Sequence, residues 1–389
     1  MTITFEDLRA SGHEASVRIQ GTGDGPFDLW YRTLGASVDL RPESLVSSVL
    51  PVAMGEGADI DLGGLRLDPR FADGAVEWQR IFAAWHPDRL KPVTIRARRA
   101  RPSRRRPGGI GCFFTGGVDS FHTVLTLREQ LTHLVFVHGF DVPLEGMPAL
   151  RAEVTERVRQ IAAELDLPLI EVETNVHDFS DTRHSPWGTT YIGAGLAGVA
   201  HLLAGEPGEQ VISATHAYAD LFPYGMHPLT DRLLSSSRRT LRHHGCEDDR
   251  VVKTIICAQS PVAMRHLRVC WENRDGTYNC GTCKKCLRTM IALRIAGALE
   301  RCETLPHEID LDAVRALPLG DLNTWARHAE LIRHLRRLGT EPDLLAACED
   351  VIRNADPTAQ RWGDKDWTSV LPLVFEDRPT PSTGGATRA

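Results

Sequence analysis

Four cysteines, Cys270, Cys280, Cys283 and Cys286, fall within 17 residues at the spacing C-x9-C-x2-C-x2-C. The last three sit at intervals that wrap thiolates around one ion, and Cys270 completes a tetrahedron. Four soft sulfur ligands and no vacant position fit structural zinc best, and an iron–sulfur cluster would use the same ligand type. The segment Thr115-Gly116-Gly117-Val118-Asp119-Ser120 is the second chemical signal. It follows the apolar run Ile110–Phe114 and precedes a helical pattern with Val118, Phe121, Val124, Leu125 and Leu127 apolar. Two glycines at a strand-to-helix junction let the backbone turn sharply and approach a ligand. The helix start then offers amide hydrogens and the positive end of its dipole to an anion. Thr115 and Ser120 add hydroxyls. Asp119 brings negative charge to an anion site, a conflict that a divalent ion, usually Mg2+, would resolve.

The elements that must hold these clusters alternate between strand and helix. Residues 110–114, 134–137, 168–172, 211–213 and 254–257 read as strands, and 118–130, 148–165 and 189–204 as helices. That alternation predicts an α/β fold with a doubly wound, parallel, five-stranded sheet. Residues 16–20 and 27–31 read as strands of an N-terminal α+β module, and 307–355 as a helical C-terminal extension. The expected divisions are 1–108, 109–303, 304–375 and a tail from 376 to 389 with the composition of disorder. Residues 96–106 carry seven arginines, from Arg96 to Arg106. They read either as a solvated linker or as a clamp for nucleic-acid or nucleotide phosphate.

The net charge of −6 argues against a general polyanion binder, and 42% hydrophobic residues give a globular balance. No run of 18 apolar residues occurs, so no membrane partner is expected. The N-terminus lacks a leader's basic start and apolar stretch, and the expected location is cytoplasmic. A small molecule is the expected substrate, and a homodimer is compatible with this reading.

The Thr115–Ser120 loop resembles the Ser-Gly-Gly-X-Asp-Ser loop of the PP-loop ATP pyrophosphatases (the adenine nucleotide alpha hydrolase superfamily), with Thr115 in the first serine's place. With the four cysteines and the Leu287-Arg288 pair that follows, it resembles the 7-cyano-7-deazaguanine synthase branch over about residues 110–300. The resemblance implies a Rossmann-like domain that binds ATP with Mg2+ and forms AMP and pyrophosphate, adenylating a carboxylate or amide carbonyl for attack by ammonia or another nitrogen nucleophile. It implies nucleotide contacts at Thr115, Gly116, Gly117, Val118, Asp119 and Ser120, with His138 and Gly139 near adenine and ribose. Asp119, Ser120 and Lys253 are the catalytic candidates, Lys253 as a cation for the triphosphate.

Residues 201–246 do not read like that synthase, so its substrate is not carried over. Trp187, His216, Tyr218, Asp220 and His227 are the substrate-binding candidates. A sulfur-transferring enzyme using Cys246 and a non-catalytic nucleotide sensor or scaffold are the rival readings. His243-His244-Gly245-Cys246 lacks partner ligands at metal spacing.

Overall fold

The computed structural model describes residues 1–103, 108–205, 207–319, 322–354, 361–362 and 365–366. The chain forms two compact units, Met1–Ile309 and Asp310–Ala389. The first contains β1 (Thr2–Ser11), β2 (Glu14–Gln20), β3 (Phe27–Leu34), α1 (Pro42–Glu56), β4 (Asp59–Leu67), α2 (Pro69–Trp85) and β5 (Ile95–Arg99). It continues through β6 (Ile110–Phe113), α3 (Val118–Thr126), β7 (His133–His138), α4 (Pro148–Glu164), β8 (Leu169–Thr174), α5 (Val176–Thr182) and α6 (Ile192–Leu202). It ends with β9 (Glu209–Ser213), β10 (Thr240–His244), α7 (Arg250–Cys257), α8 (Pro261–His266) and α9 (Lys284–Ile295).

The α/β class is as expected, but the sheet is larger. Ten strands run in the order β10-β9-β6-β7-β8-β3-β2-β1-β4-β5. The first five are parallel. The sheet does not stop at residue 108, because β3 pairs antiparallel with β8 from Tyr31↔Thr174 to Leu34↔Glu171. Alternation along the strands builds a core on each side of the sheet. Val135 and Val137 of β7 join the core containing α1, α2 and α6, whereas Leu134 and Phe136 join the core containing α3, α4 and the cysteines. In β2 and β3 the alternate positions Arg18, Asp28 and Arg32 stay in solvent.

Two segments differ from the sequence expectation. Residues 254–257 are not a strand. Asp249 accepts the amide of Val252 and starts α7, which buries Val251, Thr254 and Cys257 at helical spacing. The fifth parallel strand is β10, whose Thr-Leu-Arg-His-His sequence is polar because it pairs only with β9 at the sheet's edge. Part of the arginine-rich stretch is β5, not a linker. It pairs with β4, and Arg96 and Arg99 form ion pairs with Asp59 and Asp73. Arg104, Arg105 and Arg106, and the tail from 376, lie outside the described residues.

The second unit contains α10 (Leu311–Arg315), α11 (Leu322–Leu338) and α12 (Pro342–Asn354). The His328 ring bonds the Cys348 carbonyl across α11 and α12 at 2.9 Å. No helix among the described residues is long and apolar enough to cross a membrane.

His201 ties α6 into the first unit: its Nε2 donates to the Leu234 carbonyl at 2.8 Å and its ring meets Phe71 edge-on. Burial, reinforced by the nearby charge of Arg239, pushes its pKa from 6.5 down to about 4. Below about pH 6.5 the unfolded chain binds a proton here that the folded chain refuses, so stability falls as pH drops toward 4. His201→Gln should flatten this part of the profile by about 3 kcal/mol. Denaturant midpoints of both proteins at neutral and acidic pH measure the difference, and parallel profiles would contradict it.

Candidate functional site

The chain moves from β6 to β7 and β8 on one side, then crosses to β9 and β10 on the other. The order therefore reverses between β6 and β9, and open α/β sheets bind ligands at the carboxyl ends of the strands at such a switch point. Thr115–Ser120 fills the turn after β6. Gly116 has φ 76°, a left-handed conformation that disfavours a side chain, and its carbonyl accepts the Arg268 amide at 2.9 Å. Gly117 caps α3 without a side-chain hydrogen bond. The helical ladder begins only with the Phe121 amide to the Gly117 carbonyl. The first-turn amides of Val118, Asp119 and Ser120 thus lie at the helix's positive end. Val118 is buried, and Thr115 is exposed. Ser120 Oγ donates to the Gly117 carbonyl at 3.0 Å and accepts from the Thr115 amide at 3.3 Å, which pins the loop.

Asp119 is neutralised by the protein. Arg250 Nη1 donates to its Oδ2 at 2.6 Å, and Lys253 Nζ stands 3.8 Å from Oδ1. Lys253 is 1% exposed and donates to the Ala214 carbonyl at 2.6 Å, so one ammonium joins the loop after β6 to the loop after β9. It lies in α7 and does not open a strand. Sequence reasoning missed Arg250; its signal was the Asp249 cap that starts the helix carrying both cations. It also missed Lys285 as a member of this cluster. Burial lowers the Lys285 pKa, opposed first by Asp141 and assisted by Arg250 and Arg288, while Asp119 raises it.

The remaining candidates separate. Gly139 has φ 91°, and a Cβ there would come within 2.4 Å of the Thr174 carbonyl, so the chain after β7 requires glycine. The His138 ring bonds Glu171 at 2.9 Å. Burial pushes the Glu171 pKa up, but the bonds from His138 and Arg159 outweigh it and leave the carboxyl below its usual range. Trp187 stacks on His177 at 4.1 Å and meets Phe140, just after β7, at 4.5 Å. The buried His216 ring packs against Phe222 and Tyr224, and a Cβ on Gly188 would meet the Tyr224 hydroxyl at 3.3 Å. Aromatic groups following β7 and β9 are thereby linked through the turn at Trp187. Tyr218 and Asp220 share a short turn, with Tyr218 60% exposed. His227 belongs elsewhere: its ring packs on Trp85, and its Nδ1 accepts the Leu229 amide.

The four cysteine sulfurs all lie within 4.8 Å of one another. The pairs Cys270–Cys283 and Cys280–Cys286 are both 3.9 Å apart. Zinc bound tetrahedrally at about 2.3 Å from sulfur sets neighbouring sulfurs about 3.8 Å apart, so the donor set fits that ion. Amides support the sulfurs: Cys283 donates to Cys280 Sγ and Cys286 to Cys283 Sγ. Asn279 Oδ1 accepts the amides of Val269 and Cys270, and its Nδ2 donates to the Leu267 and Thr304 carbonyls. Arg268, which bonds Gly116, is two residues from Cys270 in the sequence, and Lys285 lies between Cys283 and Cys286.

No protein-family model, curated protein or solved structure matches the chain.

Purified protein is expected to carry stoichiometric zinc by elemental analysis. Cys283→Ser should lose most of it, with a stability loss on the order of several kcal/mol by denaturant unfolding. Retention of full zinc and stability in that variant would exclude Cys283 as a ligand.

Proposed function

We propose that the chain is a PP-loop-type ligase that splits ATP to AMP and pyrophosphate to activate a substrate carbonyl. One observation carries this reading: the α3 N-terminus, without a side-chain cap, opens at the sheet's switch point beside two cations of α7, Arg250 and Lys253. A triphosphate needs backbone donors, a helix dipole and fixed positive charge in one place. The resemblance of Thr115–Ser120 to the pyrophosphatase loop, and the strand order of β6 to β10, support the same assignment.

In the proposed reaction a carboxylate or amide oxygen of the substrate attacks the α-phosphorus. The bond from that phosphorus to the bridging oxygen breaks, and pyrophosphate leaves with the electron pair. A nitrogen nucleophile then attacks the activated carbon, loses a proton and displaces AMP. The loop amides position the phosphates, and Lys253 holds the loops after β6 and β9 in register. Arg250, about one-fifth exposed, is the cation able to leave Asp119 for a phosphate oxygen. Asp119 is the carboxylate that would hold a Mg2+ ion accompanying the nucleotide. Zinc at the four cysteines would brace the segment that bonds Gly116. Phe140, Trp187, His216 and Tyr224 form the aromatic wall of the substrate side. The sulfur-transfer rival is weakened at Cys246, whose thiol burial pushes up to about 11, against thiolate formation.

α-Labelled ATP should yield labelled AMP when the matching carboxylate or amide is supplied. Lys253→Met and Arg250→Ala should lower that rate about 100-fold or more if they stabilise the departing pyrophosphate. ATP binding without AMP formation across a carboxylate and amide panel would overturn the ligase assignment. Unchanged turnover of Cys246→Ser would eliminate a persulfide route through that residue.

A further inference from the structure

Lys253 links the loop after β6 to the loop after β9. A second link runs to the other side, from the loop after β6 to the loop after β7. The chain between β7 and α4, residues 139–147, contains no helix or strand. Two successive carbonyls near its start are held from two different elements. His177 of α5 donates through Nδ1 to the Phe140 carbonyl at 3.0 Å. Asn273 Nδ2 donates to the Asp141 carbonyl at 3.2 Å, from the cysteine segment between α8 and α9.

Asn273 is 4% exposed, with φ 50° and ψ 34°. Asparagine tolerates that left-handed conformation better than most side chains. Its Oδ1 accepts Arg268 Nη2 at 2.6 Å. Among the described residues, this oxygen is the only hydrogen-bond acceptor of the Arg268 guanidinium, whose Nε is buried without a partner. A carboxamide accepts with its oxygen and donates with its nitrogen, so one side chain can bridge two partners. Arg268 in turn lies along the Thr115–Ser120 loop. Its amide donates to the Gly116 carbonyl at 2.9 Å, and a Cβ on Gly117 would meet its carbonyl at 3.4 Å. Its guanidinium also lies over the Tyr278 ring at 5.9 Å, and the Tyr278 hydroxyl donates to the His266 carbonyl at 2.7 Å. Arg268 is thus fixed by its backbone on Gly116 and by its side chain on Asn273. Asn273 carries that fixation to Asp141.

We infer that Asn273 is a positioning residue that sets the separation of the phosphate and nucleoside halves of the ATP site. This role rests on the ATP-binding reading of Thr115–Ser120, with the nucleoside toward His138 and Gly139 after β7. β7 is a direct neighbour of β6, so one nucleotide would span both loops. A ligand that engages two subsites gains from their connection only while their spacing matches its own length. Releasing Asn273 leaves each loop in place but frees one from the other. The loss then falls on ATP and spares a ligand that occupies the phosphate loop alone.

The test is isothermal titration of the full chain with ATP and with inorganic tripolyphosphate, each with Mg2+. Asn273→Gly keeps the left-handed backbone accessible and removes both side-chain bonds. In that variant the Kd for ATP should rise about tenfold, while that for tripolyphosphate should change less than about twofold. Metal content by elemental analysis should match the wild type, which separates the effect from loss of the cysteine site. Asn273→Asp still accepts from Arg268 but cannot donate to Asp141. It should show the same ATP-selective loss, and it serves if the glycine variant does not fold. A merely structural role would weaken both ligands together. Equal losses for the two ligands, unchanged ATP affinity in the variant that folds, or wild-type binding of ATP without tripolyphosphate would each overturn the positioning role alone. A wild-type chain that does not bind ATP would overturn the ATP-site reading, and this role with it.

Discussion

Asp119 places a carboxylate in the first turn of a helix that starts at the sheet's switch point. That position suits the helix dipole but opposes an incoming anion. The fold answers with two cations from one helix, Arg250 and Lys253. Lys253 also bonds Ala214, so compensating a charge fixes the separation of two loops. These requirements explain why a lysine that is 1% exposed is tolerated. Its ammonium has a carbonyl acceptor and a nearby carboxylate, which buried charge requires. Replacing Asp119 would leave both cations under-compensated, and replacing Lys253 would release both loops.

The same accounting extends to the cysteine segment. Four thiolates crowded together repel one another unless a cation holds them. Once held, they fix a loop that has little regular structure of its own between α8 and α9. That loop meets the Thr115–Ser120 turn through the Arg268 amide at Gly116, and α9 carries Lys285 into the field of Asp119 and Asp141. Metal binding and nucleotide geometry are therefore mechanically connected in the proposed enzyme, although the closed sulfur set leaves no coordination position for substrate. The large sheet supplies the rigid support: β6 is central to it, with neighbours on both sides and a core on each face.

What could be read from the sequence follows the range of the interactions involved. The loop and the cysteine spacing are local, and both were legible in residue types and intervals. The helices α3 and α4 and the strand β7 were legible because burial imposes a short period on them. The joining of β3 to β8 was not, since it pairs residues far apart in the chain and neither strand's composition names its neighbour. Thr254–Cys257 misled because β-branched apolar residues suit a strand, while the deciding signal was the cap at Asp249, several residues earlier. β10 was missed for the converse reason: an edge strand can be polar. Among the site residues, Lys253 was identified by charge alone but given the wrong element, whereas Arg250 was marked only by the Asp249 cap before it, which was not read as a helix start.

The two arginine environments show why charge content alone does not identify a ligand site. Arg96 and Arg99 are exposed and already paired with aspartates, so their edge strand has a sufficient explanation in solubility and resistance to edge-to-edge pairing. Arg239 has the opposite placement: it is buried, its Nη2 donates to the Leu203 and Gly205 carbonyls, and the Asp68 carboxylate sits on Ser237 two residues away. Water can screen the first pair at little cost but has limited access to the second. The structural distinction is therefore between charge displayed on a surface and charge held by backbone carbonyls inside it.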